Sequence, residues 1–296
     1  MRIFLAGGVS GNLKPLWNDV ADGKDLSKAM NVFLAGCYPR PDIVAKTMNL
    51  YLAESGGIWN AYMKDEDFIG VKILESFFYI SKDPRMTSLI PYFSDFLLDS
   101  GAFTFMMGNH KGEIKWQEYT EKYAAFININ KINKFFELDI DSIVGYEKVK
   151  ELRKLLESLT GKQPIPVWHK SRGKDEFLRM ADEYKYVALG GIVSKEWSKD
   201  EHKFFPWFIN EAHKRNAKIH GLGYTNLEGL KKYHFDSVDS TAWTAGNRFG
   251  YIYKFDGSTM KKYDAPPGHR LADTRKATLI NFGEWVKFQN YAEVHL

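Results

Sequence analysis

Short apolar runs, each closed by a small or acidic residue and followed by an amphipathic stretch, recur along most of this chain. The runs occupy residues 2–6, 31–35, 71–80, 95–98, 135–140, 165–168, 186–189, 218–222 and 235–238. They are rich in Val, Ile, Leu and Phe, as strands buried on both faces are. Segments 118–128, 146–159, 174–184, 204–215 and 227–234 read as the intervening helices, with Gly161 as a stop. Strands alternating with helices make a mostly parallel sheet. Eight or so such units in roughly 250 residues match a closed (β/α)8 barrel, with a doubly wound open sheet as the alternative. The chain reads as one domain over residues 1–296, irregular in its first units and ending in a closing segment from about residue 249.

Composition narrows the class. With 44% hydrophobic residues among 296, the chain has material for a large core. No stretch approaches the ~20 apolar residues of a membrane span. The opening MRIFLAGGVSGN lacks a basic region followed by a long apolar one, so a cytoplasmic protein is expected. A lone cysteine, Cys37, excludes an internal disulfide framework and a zinc site built on clustered cysteines. The net charge of +4 permits a polyanionic partner. Lysines and arginines gather in 148–154, 170–174, 213–218 and 231–232. Such clusters are ordinarily solvated helix faces, but their recurrence suggests a basic rim.

In a barrel, chemistry sits where the strands end. The expected strand ends carry Asp99-Ser100-Gly101, Asp139 and Asp141, His169, Gly190-Gly191, His220-Gly221 and the stretch from Asp236 to Ser240. Carboxylates are poor strand formers and costly to bury, so several on one rim call for a reason. Plainer readings stand beside the functional one. Asp99-Ser100 makes a turn, Asp141-Ser142 caps the helix at 146–159, and His169 and His220 are hydrogen-bonded core residues. The run Gly7–Gly11 invites a phosphate loop, but no Gly-Lys-Ser/Thr follows.

FLLDSGAF at 96–103 resembles the DSGG segment of tRNA-guanine transglycosylases, which exchange guanine for queuine or archaeosine precursors. ALGGI at 188–192, HGLG at 220–223 and DSVDSTAW at 236–243 are similar to three further segments of that family, in the same order. ELDID at 137–141 falls where the family has its base-reading aspartate. The resemblance covers about half the chain, residues 95–248. Two departures stand out: the family's zinc site of three cysteines and a histidine is absent, and Ala102 replaces the second glycine of DSGG. A short, zinc-free chain is most similar to the phage-encoded branch that places 7-deazaguanines in DNA, which would put it in the host cytoplasm.

The resemblance implies a base exchange at C1′ with Asp239 as nucleophile and Asp99 as the base for the incoming ring. Asp236 is the alternative nucleophile and otherwise a supporting residue of the site. Asp139 would read the guanine edge, and Gly190 and Gly191 would offer amides to its carbonyl. Ser100, His169 and His220 would line the pocket. Phe103, Phe105, Met106 and Trp243 are stacking candidates, and Arg248 is the candidate phosphate clamp. No metal and no organic cofactor is implied. The partners would be DNA, with tRNA as the alternative, and a base such as 7-cyano-7-deazaguanine. Rival readings are a silent barrel that binds nucleic acid, and another barrel glycosidase or aldolase-type lyase. A lyase would need a strand-end lysine, and only Lys170 stands at such a place.

Overall fold

The computed structural model describes residues 48–53, 71–101, 104–105, 114–244, 249–264 and 274–296. Seven strands form one parallel sheet: β1 (Asn49–Ala53), β2 (Lys72–Ser76), β3 (Asp95–Asp99), β4 (Val167–Trp168), β5 (Tyr186–Leu189), β6 (Lys218–Gly221) and β7 (Ser237–Ser240). Their order across the sheet is β3-β2-β1-β7-β6-β5-β4. The sheet curls, and both of its outer strands reach toward residues 134–137. Leu98 donates its amide to Lys134 (3.0 Å) and receives that of Phe136 (2.9 Å). On the other side Ile165 donates to Phe135 (2.8 Å) and receives from Glu137 (3.0 Å).

Among the described residues the helices are α1 (Phe77–Ile80), α2 (Pro84–Leu89), α3 (Trp116–Ile129), α4 (Asp141–Val144), α5 (Tyr146–Thr160), α6 (Gly173–Glu183), α7 (Phe205–Lys214), α8 (Leu227–Lys232) and α9 (Thr274–His295). Successive side chains on a strand alternate between faces, and two apolar clusters result. Tyr51, Leu74, Leu97, Phe136, Val167 and Ala188 fill the concave side of the curl. A larger cluster, including Leu52, Ile73, Leu98, Val187 and Ile219, lies between the strands and helices such as α5 and α7.

The sequence pattern matches β5 and helices α3, α5, α6, α7 and α8 within a few residues, and differs at four places. The run 71–80 divides, because the chain enters α1 at Phe77. The run 135–140 makes only two isolated bridges before turning, with the Ile140 amide on the Leu138 carbonyl. The last strand lies two residues further along than its apolar run. β1 falls outside all the runs, whereas those at 2–6 and 31–35 lie outside the described residues. No described helix is long and apolar enough to cross a membrane.

The closing segment is an antiparallel hairpin, β8 (Tyr251–Phe255) and β9 (Met260–Asp264), followed by α9. Asn281 and Glu284 of α9 accept the amides of Tyr253 and Phe255 at 2.6 and 2.7 Å. Further along the helix, buried Gln289 donates to the carbonyls of Leu50 (2.6 Å) and Lys72 (2.8 Å) and accepts the Lys72 amide (2.9 Å). One side chain thus satisfies three buried backbone groups on two strands. Gln289→Leu is expected to destabilise the protein by about 3 kcal/mol, because each buried group left unpaired costs about 1–3 kcal/mol. Urea unfolding measures this; an unchanged midpoint would show that water takes over those bonds.

Candidate active site

All seven strands run the same way, so their C-terminal ends share one rim. Asp99 is the last residue of β3, His169 and Gly190 follow β4 and β5, and Asp239 is the penultimate residue of β7. Asp99 Oδ2 accepts the Gly101 amide at 2.8 Å. Gly101 sits at φ +81°, and a Cβ there would lie 2.6 Å from Phe78 Cβ, so this turn requires glycine. Burial pushes the Asp99 pKa up to about 6; the Gly101 amide opposes this, while the charges of Asp139 and Asp239 add to it. The three carboxylates therefore feel one another across the mouth of the curl.

Asp239 is held on one side. Its Oδ1 accepts the Gly223 amide at 2.6 Å and faces His220 Nε2 at 3.1 Å. Among the described residues Oδ2 has no partner. His220 is fully buried behind Asp239, between the rings of Tyr51 and Phe136, so it does not line the mouth as the sequence suggested. Asp236 also departs from expectation. It lies at the opposite end of β7, about 10 Å of strand away. There it accepts from His213 Nε2 and the Ile219 amide, both at 2.8 Å. Its role is to tie α7 to the strands, away from the mouth.

Asp139 is paired with His169, whose Nε2 donates to Oδ1 at 2.8 Å. The other ring nitrogen faces Glu196 at 3.0 Å. Burial disfavours a charge on His169, but the hydrogen bonds and charges of the two carboxylates outweigh it and raise the pKa to about 10. His169 is thus an imidazolium at neutral pH, and among the described residues Asp139 Oδ2 has no hydrogen-bond partner.

The neighbouring glycines serve this pair. A Cβ on Gly190 would meet the His169 ring at 2.8 Å, and one on Gly191 (φ +78°) would meet the Glu196 carboxylate at 2.6 Å. The Gly190 amide already donates to Trp168 at 2.8 Å, so it is not offered to a base as expected. Glu196, in a loop 27 residues beyond His169, carries no local motif that marks it.

Behind Asp139 lies a buried ionic cluster. Glu137 receives Arg153 Nε (2.5 Å), Arg172 NH1 (3.1 Å) and the Val167 amide (2.7 Å). Arg172 also donates to Asp141 at 3.2 Å and stacks over Tyr146 at 4.1 Å. Asp141 is therefore no cap for α5, whose N-cap is Gly145. The sequence clue to this cluster is Glu137 itself, an acid inside an apolar run, which cannot be buried without cations.

Asp139, Asp141 and His169 present ligand atoms within 4.8 Å of one another, the arrangement among the described residues suited to a metal ion. An ion there would displace the His169 proton and face the Arg172 guanidinium, so the cluster favours an ion-pair network. Elsewhere most members of the basic clusters face carboxylates: Lys148 with Glu151, Lys150 with Glu147, Lys170 with Glu201, Lys214 and Arg215 with Glu211, and Lys231 with Glu228. Most of those cations are thus locally paired, as on solvated helix faces. Lys170 also donates to the Glu196 carbonyl, so it is not a free strand-end amine.

Ser100 is fully buried, and its Oγ has no partner among the described residues. Phe105 packs edge-on against Phe78, Trp116 and Tyr119, and buried Trp243 packs against Phe282 of α9. Trp243 is a core residue, whereas Phe105 is half-buried. Phe103, Met106 and Arg248, like Cys37 and the Gly7–Gly11 run, lie outside the described residues.

No protein-family model matches this chain, and no curated protein matches it. Among solved structures it is similar to a candidate fructose-1,6-biphosphate aldolase from Coccidioides immitis, at 12% identity and a TM-score of 0.48. The alignment covers 84% of this chain and 91% of that one.

Two outcomes are expected. In the native state Asp99 keeps its proton to about pH 6, against an ordinary value of 3.8. Stability therefore falls as pH rises through that window, and the full penalty applies above it. Asp99→Asn should stabilise the fold at pH 7.5 by about 1–3 kcal/mol, with the difference closing near pH 4. A variant less stable at pH 7.5 would place the carboxylate among stabilising groups. The second outcome concerns metal. EDTA should leave the melting temperature unchanged; a rise on adding Zn²⁺ or Mn²⁺ to the dialysed protein would assign Asp139, Asp141 and His169 to a cation.

Proposed function

We propose that this chain is a guanine transglycosylase that exchanges guanine in DNA for a 7-deazaguanine base through a covalent aspartyl-glycosyl intermediate. The observation carrying this reading is the convergence of Asp99, Asp139 and Asp239 on one mouth, where two of them raise the third. In this reading the curled sheet closes into a (β/α)8 barrel. Residues 135–136 serve as the eighth stave, supported by the bridges Leu98–Phe135 and Phe136–Ile165.

Asp239 Oδ2 attacks C1′ of the target guanosine. The C1′–N9 bond breaks, its electron pair stays on N9, and the departing ring takes a proton from Asp99. The incoming base then returns a proton from its N9 to Asp99 and attacks C1′, which frees the carboxylate with overall retention. A carboxyl group with a pKa near 6 suits both transfers. Asp139 accepts from the N1–H and exocyclic amine of the base, since a carboxylate only accepts. His169 and Glu196 hold Asp139 for that contact. The site needs no metal and no organic cofactor, and a duplex substrate must flip its nucleotide out of the stack. The choice of DNA rests on the resemblance to the phage-encoded branch.

Incubation with radiolabelled guanine and either DNA or tRNA tests this. Label is expected in DNA, lost in Asp239→Ala and retained in Asp236→Asn, whose only expected defect is in stability. Label in tRNA alone would reassign the polymer while keeping the chemistry. Label in neither, with nucleic acid still bound, would favour a silent barrel.

A further inference from the structure

Behind the rim, a file of hydrogen-bonding groups runs from Asp239 into the concave interior, and the proposed reaction does not account for it. His220 Nε2 faces Asp239 Oδ1 at 3.1 Å, and His220 Nδ1 lies 2.5 Å from Ser237 Oγ. The Tyr186 hydroxyl is in turn bonded to Ser237 Oγ. His220 and Ser237 are both fully buried, each with no accessible surface. Ser237 and Asp239 share a face of β7, two residues apart, while His220 comes from the paired strand β6.

With Asp239 ionised and the His220 ring neutral, only one proton order satisfies this file. A carboxylate is acceptor-only, so Nε2 must carry a proton toward it. Nδ1 of a neutral ring is then an acceptor, and the Ser237 hydroxyl must donate to it. The freed lone pair of Ser237 Oγ receives the Tyr186 hydroxyl. Each group donates in one direction, from Tyr186 through Ser237 and His220 to Asp239.

We infer that His220 is the positioning residue for Asp239, locked by Ser237 and Tyr186 as the Nε2–H tautomer so that Oδ1 is clamped and Oδ2 is left as the reacting oxygen. This rests on the reading of Asp239 as nucleophile, although the tautomer itself does not. The Gly223 amide supplies the second bond to Oδ1. With two donors on one oxygen, the carboxylate cannot rotate to exchange its oxygens without breaking both. The reacting oxygen therefore meets C1′ already oriented, and such preorganisation acts on the chemical step more than on base binding.

The test joins a spectroscopic readout to a kinetic one. In ¹⁵N-histidine NMR of the full chain, with His220 assigned by its loss in His220→Gln, a protonated Nε2 and a bare Nδ1 are expected. Ser237→Ala should convert that resonance to a tautomer mixture while His220 itself remains. An Nδ1–H tautomer in the wild type, or no change in Ser237→Ala, would overturn the inference whether or not any exchange is detected. In the labelled-guanine assay, His220→Leu should lower kcat about 100-fold with KM for guanine unchanged. His220→Gln, which keeps an N–H donor, should recover much of that loss, and Ser237→Ala should fall between. Wild-type kcat in His220→Leu, or no advantage of Gln over Leu, would also overturn it. Exchange surviving in Asp239→Ala, or absent from the wild type, would instead sink the functional reading, with the tautomer still decided by NMR.

Discussion

The buried Glu137 carboxylate holds together a part of the fold that is joined to the sheet by isolated bridges. Around residues 135–136 the sheet has single bridges on either side in place of a ladder. Glu137 compensates by gathering Arg153 from α5, Arg172 from beyond β4 and the Val167 amide of β4 itself. A buried ion pair need not outperform apolar packing, but removing one member leaves the others charged and unpaired, at a cost of about 3–5 kcal/mol. The same cluster sets the position of Asp139, two residues further along, because Arg172 also grips Asp141. The attachment of residues 135–136 to the sheet and the geometry of the candidate site thus depend on one carboxylate that lies outside the mouth.

The mouth itself is built against stability. Asp99 sits where burial and two like charges resist its ionisation. His169 takes the opposite course, with a charge kept by two carboxylates despite burial. Such pairs of groups with pKa values driven apart are what acid–base chemistry at neutral pH requires. The stabilising contribution comes from elsewhere, from aromatic packing behind β4 and β5 and from the clasp of α9 on β1 and β2.

Much of this was legible in the sequence, for reasons that also mark its limits. Apolar runs such as 186–189 and periodic segments such as 146–159 are local signals, and they yield β5 and α5 nearly to the residue. Asp99 and Asp139 were visible because acids at the ends of apolar runs are improbable without a use. Asp236 was misplaced because β7 begins two residues later than its apolar run, which moves the two aspartates to opposite ends of the strand. Glu196, Ser237 and the roles of Gly190 and His220 were out of reach, since each is defined by a partner on another strand or loop. A glycine pair that makes room for an imidazole and a carboxylate looks, in one dimension, the same as a glycine pair that admits a base.

The clasp by Gln289 has a consequence for how the protein is made. Leu50 and Gln289 are 239 residues apart in the chain, so β1 leaves the ribosome long before the side chain that satisfies its carbonyl. Its neighbour β7 is also synthesised late, near residue 237. Until both arrive, β1 presents an unpaired edge that other nascent chains can engage. Completion of the sheet therefore waits for its late strands and α9, and its rate is limited by long-range closure more than by helix formation.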